Sequence, residues 1–287
     1  MGFPIGVRID TMITRLLKRL PKSVKDRLIE LAVRGIRWGC EHSHRFGLAV
    51  MANIPPELSR SREIREIIAS EFLQGSGIEI GALHEPLKLP VGTRAVYVDK
   101  FPTDVLKSQY PELSGREFVM VDIVDDGEHL HSILNESQDF VIANHFVEHC
   151  QDPIRTIGNM VRVLREDGIL YFALPDKRYT FDQDRPVTPV DHILSDYENG
   201  PEASRRDHLD DWFRLVAKIE DKEEREAAIE KALGSDSHIH YHVWTQAEML
   251  EMVATLQRFY GIEVEMVRKN GIEVIVVLRK QSDSRCR

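Results

Sequence analysis

Five short, nearly continuous apolar runs, with helix-like segments fitting between them, limit what this chain can fold into. They lie at 77–81, 95–99, 117–121, 138–143 and 168–174. A strand with one wet face alternates apolar and polar residues, whereas most of these runs do not. They are therefore expected to be covered on both faces, as in a parallel sheet flanked by helices. The clearest intervening helix is expected over 153–165: Pro153 suits a first turn, and Ile154, Ile157, Met160, Val161 and Leu164 share one face. Asp167-Gly168 then turns the chain into the next strand. The chain closes with two β runs, Ile262 to Val267 and Ile272 to Leu278, around Asn270-Gly271, a strong hairpin signal.

The flanking segments differ. Residues 1–40 carry nine Arg or Lys against three acids, a net of +6 in a chain whose total is −9. Ile9, Met12, Ile13, Leu16, Leu17 and Leu20 follow one helix face, a second helix is expected from about Ser23, and a third runs from Ser59 or Ser61 to Leu73. Residues 1–74 are thus expected to form a basic helical extension packed on the main domain, with peripheral membrane contact through residues 8–20 as the sharper alternative. After Pro175 the alternation lapses until about 236. The polar, charged interval 181–235, with helical runs over 205–219 and 221–233, reads as a helical insertion able to close over a substrate. The main domain is then 75–180 together with 236–281, and 282–287 is a tail.

At 287 residues and 42% hydrophobic, the chain can bury a large core. No apolar run reaches the ~18 residues of a membrane span, and no signal-peptide pattern is visible, which leads to the expectation of a cytoplasmic protein. Net acidity excludes broad nucleic-acid binding. The three cysteines, Cys40, Cys150 and Cys286, are odd in number and far apart, so they read as ordinary thiols.

Chemistry-bearing residues gather at the ends of the expected strands. The stretch Ile78 to Pro86 places Glu79 two positions before Gly81, and Val96-Tyr97-Val98-Asp99 ends in an acid about twenty residues on, the spacing at which a carboxylate meets a ribose. His145-Phe-Val-Glu148-His149 matches H-x-x-E-H, a zinc-peptidase pattern that recurs by chance. His238, His240 and His242 would point to one face if extended. With His192 and His208 they could hold a metal or supply a general base; proton acceptance is the expectation, and no metal ligand is assigned. Arg178, Arg185, Arg205 and Arg206 could bind an anionic group on an acceptor, or pair with neighbouring acids. Tyr179 and Trp244 could stack on a sugar.

Taken together, E-I-G (79–81), Y-V-D (97–99), V-D-I (121–123), D-F-V-I-A-N-H-F-V-E-H (139–149), V-L-R-E-D-G-I-L (163–170) and the closing hairpin resemble class I S-adenosylmethionine-dependent methyltransferases, and more narrowly the bacterial type 11-like small-molecule and glycan methyltransferase domains. The resemblance covers about 75–180 and 240–280. It implies an α/β, Rossmann-like, seven-stranded, mostly parallel sheet of order 3-2-1-4-5-7-6, with the helical insertion before the sixth strand region. It implies S-adenosylmethionine as cofactor, with Glu79, Gly81 and Ala82 beside its methionine part, Asp99 on the ribose, Asp122 and Ile123 at the adenine, and Asn144 and His145 facing the methyl group. Catalytic roles are expected for His145, His240 and His242, and acceptor contacts for Arg178, Tyr179, His238 and Trp244. The expected reaction is O-methylation of a small-molecule or glycan acceptor. Two other classes are a non-catalytic, membrane-peripheral scaffold that binds the cofactor and a metal-dependent hydrolase built on the histidines. The glycine-rich E/D-x-G-x-G-x-G loop of the family keeps only Gly81 here, with Leu83 and Glu85 at the other two glycine positions.

Overall fold

A computed structural model describes residues 59–235 and 239–282. The first two expected N-terminal helices, the membrane-contact segment 8–20, Cys40, Cys286 and His238 lie outside them. Helix α1 (Ser59–Phe72) leads into β1 (Ser76–Ile80), followed by β2 (Arg94–Asp99), α2 (Thr103–Gln109), β3 (Ile123–Val124), β4 (Gln138–Asn144), α3 (Pro153–Val163) and β5 (Leu164–Pro175). Helices α4 (Val190–Asn199), α5 (Glu202–Leu215) and α6 (Lys222–Leu233) come next. Helix α7 (Gln246–Leu256), β6 (Ile262–Asn270) and β7 (Glu273–Lys280) complete the described chain.

The sheet order is β3-β2-β1-β4-β5-β7-β6. Strands β1 to β5 pair in parallel, while β7 runs antiparallel to both β5 and β6. The apolar strands sort their side chains by parity. Val141, Ala143, Leu170, Phe172 and Leu174 face a core built with Ile154, Ile157 and Met160 of α3 and Met249, Met252 and Leu256 of α7. Phe140, Ile142, Ile169, Tyr171 and Ala173 face Ile68, Ala69 and Leu73 at the other side. Double coverage is why these runs show no polar alternation.

Local caps agree with this layout. Asp152 accepts the Arg155 N–H at the start of α3 (2.9 Å), and Thr245 with Glu248 forms a capping box on α7. Helices α5 and α6 carry their own apolar cluster, Leu209, Trp212, Ile229 and Ala232, closed by Ile239 and Tyr241.

Three expectations shift. The third strand is not at 117–121: there the Val119 N–H goes to Leu83 O (2.8 Å) and the Val121 N–H to Thr103 Oγ1 (2.8 Å), so the chain joins β2 only at Ile123. Strand β5 starts four residues earlier than 168, with a register shift against β4 in place of a turn ahead of the strand; Asp167 there takes φ 59. The segment after His238 is not an extended strand. Its one isolated bridge joins Trp244 to Asp176, and His240 and His242 face different neighbours.

Candidate functional site

The carboxyl ends of β2, β1 and β4 lie side by side, and each turns sharply. Gly81 takes φ +66 and its N–H bonds to Val98 O (3.0 Å); a Cβ there would meet only Phe146, at 3.8 Å, so conformation and not crowding requires glycine. Leu83 occupies the left-handed region (φ 47) where the family loop has its second glycine, at a cost of about 1–2 kcal/mol. Its side chain packs with the Leu106, Leu113 and Phe118 cluster. The loop is thereby pinned by packing. Ala82 lies half-buried on the turn, its carbonyl accepting the Glu85 N–H (2.9 Å).

Glu79 does not face this edge. Its buried carboxylate accepts the Leu87 N–H at 2.9 and 3.2 Å, bracing the loop from beneath, and burial pushes it up to about 7 against that hydrogen bond. The carboxylate expected beside the methionine part of the cofactor thus holds the loop that follows Gly81. Asp99, the last residue of β2, accepts the Lys100 N–H (2.8 Å) through Oδ1, and burial raises its carboxyl to about 6.

Asp122 lies ahead of β3, and its Oδ2 accepts the Tyr97 N–H (2.9 Å), short of the carboxyl edge. Ile123, half-buried, packs against the main core. The acids at the edge itself are Asp125 and Asp126. Asp125 is occupied by the Asp126 and Ser132 N–H groups (2.8 and 2.6 Å), while Asp126 receives the Glu128 N–H (2.9 Å). At Gly127 an added Cβ would lie 2.6 Å from both Ile80 and Phe146, so this loop presses on the end of β1. The V-D-D-G run after the third strand was the available signal for these residues; misplacing the strand hid it.

Strand β4 ends in Asn144, whose buried Oδ1 and Nδ2 have no hydrogen-bond partner, next to His145 at φ 51. The His145 N–H bonds Ala173 O (2.8 Å), its Nε2 is 2.7 Å from Glu273 Oε2, and its Nδ1 is 3.6 Å from Glu148 Oε1. Glu273 also takes a two-pronged bond from Arg65 and accepts from Asn270 Nδ2 (2.7 Å). Burial would raise the Glu273 carboxyl, but Arg65 and His145 hold it well below the usual range. The ring of His145 thus stands fixed and partly open at the edge.

Behind it, Glu148 is fully buried and raised by that burial; its carboxylate oxygens have no hydrogen bond. His240, 7% exposed, gives Nδ1 to Asp182 Oδ2 (2.6 Å), and Asp182 pairs with Arg185 (3.0 Å). Burial would lower the His240 pKa, but Asp182 raises it.

Several expected contacts move. Trp244 is 1% exposed and sits in the main core, so it offers no stacking face. His242 is wholly buried, which lowers its pKa to about 4, and meets His192, His208 and Trp244 in place of a substrate. Arg178 is taken up by Asp176 (2.9 Å), while Tyr179 stays half-exposed beneath Lys269, whose Nζ bonds its hydroxyl (2.8 Å). The arginines do not converge: Arg185 is buried against the His240 and Tyr241 carbonyls, and Arg206 pairs with Glu226 and Glu230.

The glycine turn at 81, the acid at 99 and the unpartnered amide at 144 fit a group with ribose hydroxyls and an amino-acid tail. Residues 75–172 match a family model described as a methyltransferase domain. A search of curated proteins finds no match. Among solved structures, the chain is similar to the CurJ carbon methyltransferase (12% identity, TM-score 0.45), over 84% of this chain and 59% of that one, so it spans less than two thirds of that structure. It is also similar to a SAM-dependent methyltransferase from Thermotoga maritima (14%, TM-score 0.37, 89% and 97% covered) and to the YcgJ protein from Bacillus subtilis (13%, TM-score 0.42, 78% and 99%).

Proposed function

We propose that the chain carries a class I S-adenosylmethionine-dependent methyltransferase domain and methylates a hydroxyl group of a small molecule or of a sugar or glycan intermediate, a reading supported by the methyltransferase-domain match over residues 75–172 and by the sheet order. When bound, S-adenosylmethionine supplies an electrophilic methyl group. Asp99 accepts hydrogen bonds from the ribose hydroxyls, and Asp126, at the strand edge, takes over from Asp122 the adenine contact. The turn Gly81-Ala82 and the amide of Asn144 hold the methionine end.

The observation that carries the reading is His145. A left-handed kink turns it out of β4, and Glu273 receives its Nε2–H, which leaves the lone pair on Nδ1. A hydroxyl loses its proton as the methyl transfers, and Nδ1 of the imidazole held at the edge is placed to accept it. Glu148 lies beneath Nδ1, and the Asp182–His240 pair lies behind Glu148 as a second proton-holding group. Tyr179 and Arg178, on the turn after β5, border the acceptor side.

Screening sugars and small hydroxylated compounds for transfer of a labelled methyl group tests this directly. His145→Ala is expected to lower kcat by about 10²-fold or more with cofactor affinity unchanged. Full activity in that variant, or transfer only to nitrogen acceptors, would refute the hydroxyl reading. Calorimetry that finds no S-adenosylmethionine binding would remove the premise itself.

A further inference from the structure

Helix α4 presents His192 and Asp196 one turn apart, α5 presents His208, and the segment ahead of α7 brings in His242. His192 Nε2 stands 2.9 Å from His208 Nε2 and 3.2 Å from Asp196 Oδ2, and Asp196 Oδ2 stands 3.8 Å from His242 Nε2. One donor atom from each of the four lies within 4.8 Å of all the others. Ligands on a tetrahedral zinc at about 2.0–2.2 Å stand about 3.3–3.6 Å apart, so the set needs only small side-chain adjustments to close on an ion.

Hydrogen bonding alone leaves this cluster incomplete. Asp196, His208 and His242 are buried. Ser204 satisfies Asp196 Oδ1 (2.7 Å), whereas Asp196 Oδ2 is faced only by imidazole nitrogens, His192 Nε2 at 3.2 Å and His242 Nε2 at 3.8 Å; His242 Nε2 also lies 3.2 Å from Gln151 O, and its Nδ1 has no hydrogen-bond partner. The two facing Nε2 atoms of His192 and His208 can share only one proton between them. A buried carboxylate oxygen aimed at imidazole nitrogens is costly unless a cation completes it.

We propose that His192, Asp196, His208 and His242 bind one divalent first-row cation of the Zn2+ class. Three imidazoles and one carboxylate, without thiolate, match the nitrogen and oxygen preferences of zinc. All four positions are filled by the chain, so the ion is structural and no open position remains for activating water. It clamps α4 and α5 to the segment that returns the chain to the sheet. The half-buried His192 edge is the entry path. Among the described residues, Glu148, His149 and His240 form another group of ligand type, but it brings three ligands together, one short of the four that close a structural site. This inference does not depend on the identity of the methyl acceptor.

The test is metal analysis by mass spectrometry on the full chain, produced without a polyhistidine tag and without chelators. About one zinc per chain is expected, as for a four-ligand structural site. His192→Ala, at the most exposed ligand, and Asp196→Asn, which keeps the Ser204 bond, should each lower the content more than about tenfold, while His149→Ala retains it. Stripping with dipicolinate should lower Tm, and added Zn2+, but not Mg2+, should restore it. A metal-free chain whose Tm ignores Zn2+ would overturn the proposal. So would zinc that survives both ligand variants, or that is lost with His149→Ala alone.

Discussion

At Asp99, burial lifts the carboxyl to about 6 in spite of the N–H groups of Lys100 and Phe101, which favour its ionised form. Only the ionised group accepts from two ribose hydroxyls at once. S-adenosylmethionine affinity should therefore weaken as pH falls from 7.5 through about 6, and Asp99→Asn should lose that dependence along with about tenfold or more in Kd by calorimetry. Glu79 behaves oppositely, as a stability group. Its folded pKa of about 7 lies above the ordinary 4.5, so its contribution is fully present below 4.5 and lost as pH rises through 7. Glu79→Gln, which retains an oxygen for the Leu87 N–H, should be more stable than the native chain at pH 8 by up to about 3 kcal/mol and no more stable at pH 4, by urea denaturation. Both acids were visible in the sequence as strand-end carboxylates. Their opposite directions, one toward the ligand edge and one beneath the loop, follow from where the backbone places each side chain relative to Gly81.

Helix α3 illustrates how close packing overrides propensity. Gly158 lies in its middle, where alanine would ordinarily favour the helix by about 1 kcal/mol. A Cβ there would lie 2.2 Å from the Tyr260 hydroxyl, which donates to Ile154 O (3.0 Å). Gly158→Ala should accordingly destabilise by about 1–3 kcal/mol in chemical denaturation, and by less in a Tyr260→Leu background. The helix itself was legible from its apolar period and Pro153, as was the hairpin from Asn270-Gly271. Strand β3 was not: it pairs with β2 only at Ile123 and Val124, because Val119 and Val121 of the apolar run before it bond instead to the Leu83 carbonyl and the Thr103 hydroxyl, and no local pattern over 117–121 reports those partners.

The assembled molecule joins two apolar layers around the sheet to a smaller cluster in α5 and α6, with the candidate site at the carboxyl edge between them. A ligand held by the ends of β1, β2 and β4 together should stabilise the folded chain as one unit. At about 100 times Kd, S-adenosylmethionine should add about 2.7 kcal/mol, a rise in Tm of about 5–10 °C by calorimetric scanning, and Asp99→Ala should show about half that rise or less at the same concentration. The parallel apolar runs, their flanking helices, the closing hairpin and the strand-end positions of Asp99, Asn144 and His145 could be read from residue order, because period and turn chemistry are local. Folding settled which distant groups meet. It brought Glu273 to His145 across 128 positions, put Asp126 at the edge in place of Asp122, sank Trp244 into the core and gathered His192, His208 and His242 from three segments. Local patterns record which face a residue presents, whereas its partners depend on how sheet, loops and insertion pack around one another.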